Sequence, residues 1–262
     1  MITVFTVASF LDQFAPRRLA ADWDNVGLLV GDGHQAVERI MTCLTVTPAS
    51  VAEAVAEKVQ LIVTHHPLMF RPIQRLTADT TEGKMLLDLA RGGVAVYSPH
   101  TAFDSARAGI NQRLALALEL SDISPILADA DDSSLGVGRY GYPNRGATIA
   151  QIADQLKKFL QLPAVRLVGD ASATVRSVAI ACGSGGDFLR TAHRAGCDCF
   201  VTGEATFHTC LEAEALGVGL LLTGHFASER FAVEQLAEVL AAEFRTAKVW
   251  ASRAERDPLQ VI

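Results

Sequence analysis

The chain has 262 residues, half of them hydrophobic and 20% charged, with 20 glycines and 9 prolines. This composition excludes collagenous, low-complexity and disordered classes and is long enough for a sizeable core. With 23 Lys and Arg against 29 Asp and Glu, the formal net charge is −6, so the basic footprint of a nucleic-acid binder is missing and no nucleic-acid partner is expected. No apolar run approaches the roughly 18 residues of a membrane span. The opening Met1-Ile2-Thr3-Val4-Phe5 lacks the basic region and long apolar core of a secretory signal, so a cytoplasmic location is the expectation. Five cysteines (Cys43, Cys182, Cys197, Cys199, Cys210) are an odd count for such a chain and read as reduced, small core residues.

Taken in chain order, Met41–Val46 reads as a strand, and Thr47-Pro48 opens a helix through Glu57, with Thr as cap and Pro at the first helical position. Gln60–Thr64 is a second strand, running into His65-His66-Pro67. A helix over Gly83–Arg91 ends at Gly92-Gly93, the strand Val94–Tyr97 leads into His100-Thr101-Ala102-Phe103-Asp104, and the helical pattern Gly109–Leu120 closes this half. The stretch Asp129–Gly146 is the most turn-rich and marks the lobe boundary, giving lobes 1–125 and 126–262, with the last helix able to pack back on the first lobe. The second half repeats the alternation: strands at Ser177–Ala181, Asp198–Thr202, Gly217–Thr223 and Lys248–Ala251, and helices at Asp187–Ala195, Ala205–Leu216 and Phe226–Phe244. Strands separated by helices predict an α/β fold with mainly parallel sheets.

The polar clusters all follow predicted strands: His65-His66, His100 to Asp104, Gly203-Glu204, and Gly224-His225 with Glu229. Ligands in open α/β sheets bind beyond the carboxyl ends of strands, and four of the seven histidines lie there. In an extended backbone His65 and His66 point to opposite sides, which suits two neighbouring ions better than one; structural histidines at a strand end are the alternative. Asp104 and Glu229 each lie four residues beyond a histidine, which places the partners on one side of a helix. A carboxylate can bridge two ions, whereas the plainer readings are a cap and a helix-dipole partner. Glu204 and His208 are a further pair at that spacing, read as structural or supporting. Cys182-Gly183-Ser184-Gly185-Gly186 is read as a tight turn rather than a phosphate cradle, and His34 and His193 as solvent-facing.

Together Trp23-Asp24-Asn25-Val26-Gly27-Leu28, Thr64-His65-His66-Pro67, His100-Thr101-Ala102-Phe103-Asp104, Thr202-Gly203-Glu204 and Gly224-His225-Phe226-Ala227-Ser228-Glu229 resemble the Nif-three-like dinuclear metal-centre family. Its members carry the name GTP cyclohydrolase I type 2 homologue, and the chain is similar to the short bacterial type. The resemblance implies two similar α/β lobes with the metal site in the cleft between them and a toroidal homohexamer. It implies two divalent ions per chain held by His65, His66, Asp104, His225 and Glu229, with Glu229 touching both, His100 beside the site, and Asn25 and Glu204 near its mouth. Zn, Mn, Fe, Co or Ni all suit such ligands. The functional expectation is a metal-dependent hydrolase acting on a small molecule, with Glu204 or His100 moving the proton and Arg71 or Arg230 holding an anionic group. The rival is a non-catalytic metal-binding or scaffold protein.

Overall fold

Four-residue apolar runs make the central strands, and their burial explains why. In the computed structural model, which describes residues 1–260, Leu61–Thr64, Ala95–Ser98, Val178–Ala181 and Cys199–Thr202 are buried at every position. Continuous rather than alternating hydrophobicity is what strands covered on both faces require. The described residues form two units, one of Met1–Phe103 with the segment from Ala232 onward, the other of Asp104–Phe231.

The first unit holds a five-stranded sheet ordered Gly27–Val30, Ala95–Ser98, Leu61–Thr64, Arg39–Cys43, Lys248–Ala251. All neighbours are parallel except the first pair. Met41, Ile62, Val96, Val51 and Leu89 pack the core on one side of this sheet. The helix Pro48–Ala56 starts as its sequence predicts: Thr47 accepts from the Ser50 amide and Ser50 answers to the Thr47 amide, with Pro at the first turn. The helix Thr81–Gly92 stops at Gly93, whose φ of 63° is left-handed.

In the second unit the six-stranded order is Ser121–Ser124, Arg139–Tyr142, Val178–Ala181, Cys199–Thr202, Gly219–Leu222, Arg166–Val168. The three strands Val178–Ala181, Cys199–Thr202 and Gly219–Leu222 are parallel, and antiparallel strands flank them. Parallel strands thus carry the centre of both sheets.

The division falls at 103/104 and 231/232, whereas the turn-rich stretch points to 125/126. Strand pairing explains the difference. Ser121–Ser124 hydrogen-bonds to Arg139–Tyr142, and Leu114 and Ala115 of the preceding helix share a core with Ile152, Val178 and Val201, so residues 104–125 go with the second sheet. At the other end Lys248–Ala251 joins Arg39–Cys43 in the first sheet, a pairing that sequence order conceals. No helix among the described residues is long and apolar enough to cross a membrane.

No disulfide joins the cysteines among the described residues; Cys43, Cys197 and Cys199 are buried, and Cys182 and Cys210 are partly buried. Arg139 is the largest fully buried side chain among the described residues. Its guanidinium donates to the carbonyls of Ser105, Ala106, Gly136 and Gly138 and to Gln112, so it closes the carboxyl end of the helix carrying Asp104. Desolvation lowers its pKa to about 10, which leaves it charged at neutral pH.

The carboxyl-terminal segment is tied down by two acids. Glu53 accepts from Trp250 Nε1 (3.1 Å), Ser252 Oγ (2.7 Å) and the amides of Arg253 and Ala254. Glu255, 5% exposed, accepts from the amides of Leu44 and Thr45 at 2.9 and 2.7 Å. Burial alone would raise the Glu53 pKa, but the bonds from Ser252, Ala254, Trp250 and Arg253 outweigh it and hold the group at about 2, against 4.5 ordinarily. A depressed carboxylate contributes stability above its unfolded value that is lost as pH falls toward the folded one. Glu53→Gln, which points an amide N–H at backbone donors, should therefore lower unfolding free energy by about 1–3 kcal/mol at pH 7. In urea titrations the gap from wild type should shrink between pH 4.5 and 2; a constant gap over that range would refute the assignment.

Candidate metal centre

In the first unit three histidines gather at the ends of two parallel strands. Ladder bonds continue past Thr64: the His65 amide donates to Cys43 O and the His66 amide to Leu44 O. Ser98 at the end of the next strand donates to His65 O at 2.6 Å. His65 is 1% exposed. One ring nitrogen from each of His65, His66 and His100 lies within 4.8 Å of the others. The expected splaying of His65 and His66 is therefore partial: their ring centroids are 5.0 Å apart and tilted by 53°. Past the last ladder bond the chain turns at Pro67 and no longer enforces strict alternation.

Each of the outer two rings is held through Nδ1. His66 Nδ1 shares a 2.7 Å hydrogen bond with Thr45 Oγ1, and Thr45 is the residue whose amide Glu255 grips. His100 Nδ1 lies 2.8 Å from Asp24 Oδ1, while Asp24 Oδ2 accepts from the Thr101 amide and hydroxyl. A carboxylate only accepts, so Nδ1 of His100 carries its proton and Nε2 is the basic nitrogen. Burial would raise the Asp24 pKa, but the bonds from His100 and Thr101 prevail and hold it at about 2. His100 itself has φ of 26°, a costly conformation for a non-glycine residue of the kind that clusters at functional sites.

The second unit ends in the first turns of the helix His225–Glu243, which follows the strand Gly219–Leu222. The four-residue spacing does what the sequence suggests: His225 Nε2 meets Glu229 Oε2 at 3.2 Å. Glu229 is 3% exposed. His225 Nδ1 meets Glu204 Oε1 at 2.9 Å, and Ser184 Oγ donates to the same oxygen. Glu229, then Glu204, raise the His225 pKa to about 9 against the opposing effect of burial; His225, then Ser184, lower that of Glu204. Without a metal, a protonated imidazole holds two carboxylates together. A divalent cation would supply that positive charge instead, so the donor set fits one.

Asp104 accepts from the Cys182 thiol at 3.2 Å, and Asn111 spans this corner by donating to Asp104 O and accepting from the Cys182 amide. Burial, then Asp104 and Glu229, push the Cys182 thiol well up, which keeps it a donor. The Cys182–Gly186 stretch is the expected turn, and Gly183 shows what it is for. Its φ is 61°, and any Cβ would run into Glu229 Oε1.

Other expectations divide. Glu204 does not pair with His208: it lies in the loop before the helix Phe207–Leu216, whose cap is Thr206, and turns to Ser184 and His225 instead, leaving His208 exposed. Asn25 is exposed, and its amide donates to Met69 O at 2.6 Å. Arg71 lines a cavity that His66 also lines, and Arg230 is half-buried. His34 and His193 are exposed, as expected. Sequence reading assigned Asp24, Thr45 and Cys182 no part in the site, although Asp24 lies in a recognised block and Cys182 in the glycine-rich turn. Asp24 sits between two residues of a recognised block, so position was a usable signal there; for Thr45 and Cys182 no local pattern existed.

A family description, Duf34/NIF3 (NGG1p interacting factor 3), matches residues 2–258. The chain belongs to this family. It is 33% identical over 230 residues to a protein of Clostridium acetobutylicum named GTP cyclohydrolase 1 type 2 homolog, covering 87% of this chain and 85% of that one. A Streptomyces coelicolor protein of the same name is 32% identical over 261 residues, covering 96% and 92%. Among solved structures, Staphylococcus aureus protein SA1388 superposes with a TM-score of 0.90 at 27% identity, over 100% of this chain and 99% of that one. Reduced HcgD from Methanocaldococcus jannaschii gives 0.84 at 25% identity, over 95% and 97%.

The Asp24–His100 pair yields a direct test. Each Asp24 oxygen accepts from a backbone amide as well as a side chain, Asn25 with His100 on Oδ1 and Thr101 twice on Oδ2, so in Asp24→Asn the new NH2 group leaves at least one donor unpaired whichever way it turns. Long-range nitrogen–proton correlation spectra of the metal-free wild type should show His100 protonated on Nδ1, and Asp24→Asn should lose about 1–3 kcal/mol in stability. A His100 ring protonated on Nε2 alone would overturn the pairing.

Proposed function

We propose that the protein is a metal-dependent hydrolase working through a dinuclear divalent-metal centre. His65, His66, Asp104, His225 and Glu229 are its ligands, and its substrate is a nucleotide, phosphoester or related small molecule. What supports this most is the pattern of outer hydrogen bonds. Thr45 sits on His66, Glu204 on His225 and Cys182 on Asp104, the arrangement by which proteins orient metal ligands. Imidazole and carboxylate donors suit Zn, Mn, Fe, Co or Ni, and few ligands per ion leave positions open to substrate. When bound, such a pair polarises the scissile group and lowers the pKa of a water.

The chain's own residues supply the rest. His100, with Nδ1 committed to Asp24, offers Nε2 to accept or return a proton. Glu204, exposed and held deprotonated by His225, is the second candidate for that transfer. The names of the relatives favour opening of a guanine ring as one version of the chemistry; phosphoester hydrolysis is the other. The family description also names an interacting factor, which favours a non-catalytic metal-binding scaffold as the second reading. Screening metal-loaded protein against nucleotides and phosphoesters separates the two: turnover lost in a ligand variant supports the hydrolase, and none with any substrate class supports the scaffold.

Glu229 is the ligand expected to touch both ions, so Glu229→Gln should lower metal content from two ions per chain toward one or none. His65→Ala or His66→Ala should mainly weaken one ion. Elemental analysis after dialysis, with circular dichroism to confirm folding, measures this; wild-type stoichiometry in Glu229→Gln would sink the bridging role.

We also propose that the chain assembles as a homohexamer. Phe207 and Leu211, one turn apart on a helix, are 71% and 47% exposed, the kind of apolar pair that an assembly covers. Light scattering at micromolar concentration should report six times the 28.0 kDa chain mass; a monomer mass would refute it.

A further inference from the structure

Two aromatic rings stand largely in solvent beside the histidine cluster of the first unit. Trp23 is 65% exposed and Phe70 is 49% exposed. They stack on one another with ring centroids 6.3 Å apart and an interplanar angle of 21°. Both meet His100 edge-on, at 5.9 and 5.4 Å. The Asn25 amide bond to Met69 O ties the two loops into one wall. Phe70 also lines a cavity of about 450 Å³ shared with His66, Arg71, Ile73, Glu82 and Met85. That volume is in the range of small-molecule sites, and its lining is mainly apolar with a few polar groups, as ligand pockets are.

The cavity's two charged side chains, Arg71 and Glu82, have opposite sign, so charge alone gives no preference for an anion. What they offer together is one group that only donates hydrogen bonds and one that only accepts. A flat apolar wall flanked by such a pair matches a planar ring with both donors and acceptors on its edge. Exposed aromatic faces bind such rings by stacking, which is worth at least as much as a net hydrogen bond and tolerates different rings.

We infer that Trp23 and Phe70 form a stacking platform for a planar heteroaromatic ring of nucleobase type, with Phe70 as the contact face and Arg71 and Glu82 reading the ring edge. This names the substrate class of the proposed hydrolase and, for its catalytic meaning, rests on that reading; binding of the ring itself does not. The platform places the ring next to His66 and His100, both of which have Nδ1 already committed.

The protein's two tryptophans, Trp23 and Trp250, make the test optical. In full-length Trp250→Phe protein, the remaining emission comes from Trp23. Guanosine 5′-monophosphate should quench it saturably, and ribose 5-phosphate, which has no aromatic ring, should not. Phe70→Ala should raise the dissociation constant roughly 5- to 150-fold, with circular dichroism and metal content unchanged. Running each titration on metal-loaded and chelator-treated protein separates the two claims. Saturable quenching in both forms upholds the platform even if no ligand variant alters metal content. The platform is overturned if ribose 5-phosphate binds equally well, if Phe70→Ala leaves the constant unchanged, or if neither compound binds.

Discussion

A parallel strand buried on both faces has no room for a charged side chain and takes a hydroxyl only where it finds a backbone partner, as Thr64, Ser98 and Thr202 do, and the rest of this protein follows from that constraint. Leu61–Thr64, Val178–Ala181 and Cys199–Thr202 are covered at every position, so polar chemistry begins where their ladders end. His65 and His66 follow the first, Cys182-Gly183-Ser184 the second and Gly203-Glu204 the third, with His225 after the parallel strand Gly219–Leu222. The same burial makes the supporting frame stiff, and stiffness is what a set of ligands held to fractions of an ångström needs.

Backbone groups help to hold several of the charges that enter the interior. Arg139 donates to four carbonyls, Glu255 accepts from two amides, and Asp24 takes two amides, a hydroxyl and an imidazole. Such groups are costly to leave unpaired, so each specifies one arrangement of the chain around it. Two of them bear on the site from a distance. Glu255 pins Leu44 and Thr45, and Thr45 holds His66; Arg139 closes the carboxyl end of the helix that carries Asp104. The carboxyl-terminal segment is thus part of the support for a histidine about 190 residues earlier in the chain, as the Glu255 bonds to positions 210 and 211 residues away indicate.

Glycine works in the opposite sense, by leaving space. Gly183 is needed at its left-handed φ and also because a side chain would displace the Glu229 carboxylate. Gly203 is similar: a Cβ there would lie 2.6 Å from Gly183 O and 2.7 Å from Ser228 Oγ. Ser228 in turn accepts from the Gly183 amide and donates to His225 O. The two glycines and this serine let two turns and the start of a helix close around one buried acid.

Most of the secondary structure, the i,i+4 relation of His225 to Glu229 and the histidines at strand ends were legible from the sequence alone. They depend on local periodicity, on caps such as Thr47-Pro48, and on the rule that polar residues follow buried strands. The relation of Glu204 to His225 rather than His208, the Asp24 support for His100 and the Cys182 bond to Asp104 were decided by tertiary structure. So was the placing of residues 104–125 with the second sheet and of Lys248–Ala251 with the first. The physical reason is that each of these depends on which strand ends become neighbours. A hydrogen bond between residues 76 or 78 apart, such as His100 to Asp24 or Cys182 to Asp104, leaves no periodic trace in the chain, whereas a helix turn or a buried strand imposes its pattern on every few residues.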